Sequence, residues 1–70
     1  MRKYTSLMEL IKSEISKNGQ GFTNMYDKEM ADLVYGNASK RRLIAKELKV
    51  LESRGQIKIT GKGAKRRINI

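Results

Sequence analysis

The side chains with chemistry to offer are mostly cations, and they are bunched. Lys40-Arg41-Arg42 and Lys65-Arg66-Arg67 repeat the same three letters, and the second set closes the stretch GKGAKRR, residues 61–67. Ammonium and guanidinium groups donate hydrogen bonds and accept none, so their natural partners are anionic oxygens. Other chemistries fall away by residue type. The chain has no histidine, which excludes His-dependent nucleophilic catalysis, and no cysteine, which excludes thiolate metal sites and disulfides. Zinc would have carboxylates alone to bind it, so no metal is expected. GKGAKRR lacks the third glycine and following helix of a dinucleotide fingerprint, and the GK[ST] ending of a P-loop. Glu9 and Glu14 are not spaced to meet on a helix; Glu29 and Asp32 are, at i and i+3, but read as surface charge. The expectation is a non-enzyme with no cofactor and no evident small-molecule ligand.

The charge has a direction along the chain. The formal net charge is +9 over 70 residues. Residues 1–37 carry five Lys/Arg and five Asp/Glu, so they sum to zero, and residues 38–70 carry eleven Lys/Arg against Glu47 and Glu52. The whole excess lies in the second half. A one-sided basic half implies a polyanionic partner, nucleic acid first and an anionic membrane surface second. Seventy residues suffice for one domain with one small core. With no spanning apolar run and no signal-like segment, the chain reads as cytoplasmic, without a membrane partner.

Hydrophobic periodicity supplies the elements that must hold these cations. Ser6 and Glu9 form a capping-box pattern, Leu7, Ile11 and Ile15 recur every four residues, and Asn18-Gly19 is a stop signal. This predicts helix 1 over 7–17. A loop with a short strand near Phe22-Thr23 follows. Asp27 is read as the N-cap of helix 2, over 28–35, with Met30, Ala31, Leu33 and Val34 as its apolar face and Gly36 as its end. Asn37 or Ser39 caps helix 3, over 39–53, in which Ile44, Leu48 and Leu51 form a stripe and Gly55 marks the end. The connection between helices 2 and 3 has the size of the turn in a helix-turn-helix. After Gly55 the period changes to two: Ile57 and Ile59, then Ile68 and Ile70, flank a glycine-containing turn and predict a hairpin over 56–70. For the isoleucines to share one face, the connecting loop must hold an even number of residues. Ile57 is thereby set against Ile70 and Ile59 against Ile68, with the tip around Lys62 to Lys65.

The order helix, short strand, helix, tight turn, helix, hairpin resembles the winged helix-turn-helix family of DNA-binding domains. The most specific stretch is YDKEMADLVYGNASKRRLIAKELKVLESRGQIKI, residues 26–59. Within it, Leu51-Glu52-Ser53-Arg54-Gly55-Gln56-Ile57 fits the family's usual passage from third helix into wing, with Gln56 a polar departure. The resemblance implies one α+β, mainly α, domain over residues 1–70. It also implies a third helix that lies in the major groove and a hairpin that serves as the wing.

Helical geometry agrees with that role. At about 100° per residue, Ile44, Leu48 and Leu51 gather on one side. Ser39, Arg42, Lys46, Lys49 and Ser53 gather on the other, with Arg41 at the boundary. The expected recognition-helix contacts are Ser39, Lys40, Arg41, Arg42, Lys46 and Lys49. The expected wing contacts are Lys62, Lys65, Arg66 and Arg67. Arginine can make bidentate contacts to guanine, and lysine reaches phosphates. The expected partner is double-stranded DNA, and the expected role that of a small transcriptional regulator or a DNA-maintenance accessory factor. A small basic domain of this kind suits a virus or mobile element. RNA binding and protein docking stand as alternatives, and the few aromatics disfavour a single-strand stacking platform. A homodimer would have to use helix 1 or the segment around Tyr4 and Met8.

Overall fold

The computed structural model describes residues 2–70. Helix α1 spans Leu7–Asn18, α2 spans Asp27–Tyr35 and α3 spans Arg41–Ser53; strands β1 (Lys58–Thr60) and β2 (Arg67–Asn69) follow as an antiparallel pair. Three helices and a C-terminal hairpin are the α+β, mainly helical layout of a winged helix.

Each boundary has a local cause. The Ser6 side chain accepts from the Glu9 N–H, and α1 ends where Gly19 turns left-handed. At the end of α3, the Gly55 N–H donates to the Glu52 carbonyl and the Gln56 N–H to the Leu51 carbonyl. That pair of bonds closes the helix end only with Gly55 at a positive φ, here 74°. The turn before α3 is tighter than helix periodicity predicts. The Asn37 side chain accepts the Ser39 N–H at 3.0 Å, and the Lys40 N–H bonds the Asn37 carbonyl at 3.1 Å. Residues Ala38–Lys40 therefore form a 3-10 turn, and the α-helix proper starts at Arg41 rather than 39. Asp27 is the first residue of α2 and not its cap; Tyr26 holds the cap position without a side-chain bond.

The core takes a few residues from each element: Leu7, Leu10 and Ile11 from α1, Met30, Ala31 and Val34 from α2, Ile44 and Leu48 from α3, and Ile57 and Ile68 from the hairpin region. The ladder pairs Ile59 with Ile68, the register that isoleucine parity predicts. Ile68 also faces Thr23 across a bridge, with both backbone bonds at 2.8 Å. Strand β2 thus lies between β1 and the loop after α1, which ties the hairpin to the helical body. Ile70 departs from expectation. It lies beyond the last ladder pair, where it is 62% exposed. At the other end of the chain, the Lys3 and Tyr4 N–H groups share the Leu33 carbonyl, and Tyr4 and Met8 pack against the core.

Candidate nucleic-acid interface

The sequence-derived contacts divide into two groups, one on α3 and one on the hairpin. Lys40, in the turn before α3, and Arg41, Arg42, Lys46 and Lys49 on α3 are all exposed. Among the described residues none of the five forms an ion pair; the pairs found are Lys17–Glu14 and Arg66–Asp27. Burying Ile44 and Leu48 against the core turns the opposite side of the helix to solvent, and Arg42, Lys46 and Lys49 go with it. The result is a row of cations with no ion-pair partner to displace among the described residues.

Ser39 is differently placed. Its hydroxyl donates to Asn37 Oδ1 at 2.8 Å. Phosphate oxygens only accept hydrogen bonds, so Ser39 could donate to one only by giving up this capping bond. The structure also adds a residue that helical periodicity did not assign to the interface. Lys28, in the first turn of α2, lines a shallow depression together with Ala38, Ser39, Arg41 and Arg42. Three cations from two elements thereby border one concave surface. The only sequence signal was a basic residue in the first turn of a helix, where acids are favoured.

In the hairpin, Lys62 and Lys65 are exposed at the tip, around a 3-10 turn at Gly63–Lys65. Gly61 shapes this turn: its φ is 75°, and a side-chain carbon there would run into the Lys65 carbonyl. Arg67 is exposed, and its guanidinium carbon stands 4.5 Å from the centre of the Phe22 ring. A stacked guanidinium keeps its N–H edges free to donate while its face rests on the ring. Phe22 thus positions Arg67, a role that required knowing that the Phe22-Thr23 segment lies beside β2.

Arg66 is engaged inside the molecule. Its Nη1 donates to Asp27 Oδ1 at 2.8 Å and its Nη2 donates to the Met25 carbonyl at 2.8 Å. Both side chains of the ion pair are largely covered, at 21% and 28% exposure. Alternation explains the difference from Arg67: residue 66 has the parity of Ile68, which faces the core, and residue 67 the opposite parity. One of two adjacent arginines braces the hairpin against the start of α2, and the other reaches outward.

Elsewhere the chemistry is sparse. Among the described residues no group of three or more acidic, histidine or cysteine side chains is placed to hold a metal ion. No helix among them is long and apolar enough to cross a membrane. The fold has the layout of a winged helix, with a cationic third helix and a cationic hairpin tip. No family model, curated protein or solved structure matches the chain.

Proposed function

We propose that this domain binds double-stranded DNA, with α3 in the major groove and the hairpin tip on the adjacent backbone or minor groove. It would serve as a sequence-specific transcriptional regulator or DNA-maintenance accessory. The observation that carries this reading is the row of exposed, unpaired cations along the outer side of α3. A helix is about 10–12 Å across with its side chains, and the major groove of B-DNA is about 12 Å wide. From Arg42 to Lys49 the helix advances about 10 Å at 1.5 Å per residue, or roughly three base pairs at 3.4 Å each. Arg42, Lys46 and Lys49 are thus spaced to meet base edges and groove walls over one short site. Lys28 and Arg41 would flank this contact at the start of α3. Lys62, Lys65 and Arg67 would bind phosphate, and Arg66 would hold the hairpin in place for them.

Duplex DNA is favoured over duplex RNA because the deep, narrow major groove of A-form RNA does not admit a helix. Fluorescence anisotropy with duplexes selected from a random library tests the reading. Arg42→Ala and Lys46→Ala should weaken binding at least tenfold, and wild-type log K should fall linearly with log[salt], by about 0.9 per phosphate contacted. Equal affinity for single strands or RNA, or unchanged affinity in both variants, would reject it.

A further inference from the structure

Two large aliphatic side chains on α3 do not enter the core. Leu43 is 42% exposed and Val50 is 46% exposed. A single exposed leucine is ordinary. These two, however, are seven residues apart, two turns along one side of the helix, with Lys46 one turn from each. Leu43, Lys46 and Val50 form one stripe, and Arg42 and Lys49 form its neighbour. Lys46 borders the pair on one side and Glu47, four residues from Leu43 and three from Val50, on the other, so these water-facing apolar groups lie at the edge of the row of cations that the proposed DNA contact uses.

We infer that Leu43 and Val50 read the 5-methyl groups of thymine in the major groove, making the domain selective for sites with thymines under α3. The inference rests on the major-groove reading above and specifies what that groove must display. Charge complementarity chooses the occupant: the adjoining cations Arg42, Lys46 and Lys49 outnumber Glu47 and call for a polyanion, and the apolar pair calls for a polyanion with methyl groups at the base edge. Thymine is the one DNA base that carries such a group. Uracil lacks it, so the pair also discriminates DNA from RNA by base chemistry. The axial distance between the two side chains, about 10 Å at 1.5 Å per residue, spaces the two readings about three base pairs apart.

The test uses the full chain and a duplex chosen by selection from a random library. Each thymine under the α3 footprint is then replaced by deoxyuridine, which removes the methyl group and keeps the pairing edge. Wild type should lose about three- to fivefold in affinity for each contacted methyl removed, the magnitude expected for one buried carbon. Leu43→Ala and Val50→Ala should bind the thymine duplex more weakly and respond less to uracil, each variant at its own position. A selected site without thymine under α3, or wild-type affinity indifferent to uracil, would overturn the inference while leaving duplex binding intact. Failure to bind any duplex would instead overturn the reading on which it rests. Concentration-dependent dimerisation abolished by Leu43→Ala, with no uracil response, would assign the pair to a second copy of the chain and also overturn it. The uracil comparison is made on wild-type protein, so it does not depend on the variants folding.

Discussion

The Asp27–Arg66 brace should stabilise the fold without adding to the charge offered to DNA in the proposed complex. The two residues are 39 apart in sequence and join the start of α2 to the start of β2. Exposed ion pairs contribute about 0–1 kcal/mol. This one is mostly covered and extended by a second bond to the Met25 carbonyl. Hydrogen bonds to charged groups contribute about 1.5–3 kcal/mol, so Arg66→Ala should cost about 2 kcal/mol. A chain of 70 residues has roughly 4–10 kcal/mol in total at 0.05–0.15 kcal/mol per residue. The loss is a substantial fraction of that, and it should lower Tm by about 10 °C. Asp27→Ala also removes an acid from the first turn of α2, where the helix dipole favours one. A double-mutant cycle therefore isolates the pair better than either single variant. Urea unfolding followed by circular dichroism at 222 nm should give a coupling of about 1–2 kcal/mol. Additivity within about 0.5 kcal/mol would refute the brace. The functional half of the prediction uses Arg67 as the control. Under conditions where each variant is folded, Arg67→Ala should reduce the salt slope of DNA binding by about one phosphate contact, and Arg66→Ala should leave it unchanged. An equal reduction in both would mean that Arg66 leaves Asp27 for the DNA.

Other expectations follow from the same geometry. Lys62→Ala and Lys65→Ala should weaken binding evenly across sequences, whereas Arg42→Ala should relax preference at one position, as measured by library selection with each variant. Gly61→Ala should cost well over 1 kcal/mol, since it adds a clash with the Lys65 carbonyl to the strain of a positive φ. Gly55→Ala, with no neighbouring atom within 4 Å of the new carbon, should cost about 1–2 kcal/mol from backbone strain alone. Thermal unfolding compares the two. Ile68→Ala, at the junction of both hairpin strands and the Thr23 bridge, should cost about 2–5 kcal/mol and leave the hairpin less protected in hydrogen exchange; a loss under 1 kcal/mol would contradict its place in the core.

Much of the fold is legible because its signals are local. Leu7, Ile11, Ile44 and Leu48 announce their helices through spacing alone, and Ser6, Gly19 and Gly55 announce the ends. The parity of Ile59 and Ile68 suffices to place the two strands in register, because one slipped residue would turn one strand's isoleucines from the core to water. Ile70 was misread by the same rule. Parity says which face a residue takes, not whether anything covers that face at the chain's end. Asp27 departs from its expected place as a cap: it opens the first turn of α2, and its carboxylate pairs with Arg66, 39 residues away.

From sequence alone came the distribution of charge, the residue types that exclude catalysis by histidine or cysteine, the helical spans to within two residues, and the outward side of α3. These depend on composition and on periods of two and 3.6, which each segment carries by itself. Tertiary structure decided which of the cations are free. Arg66 and Arg67 are indistinguishable as letters, yet one is held by Asp27 and Met25 and the other rests on Phe22. Lys28 joins Arg41 and Arg42 only because α2 and the turn before α3 fold around the same depression. The physical reason is that a cation's availability depends on partners distant in the chain, and those partners are set by packing rather than by any local pattern.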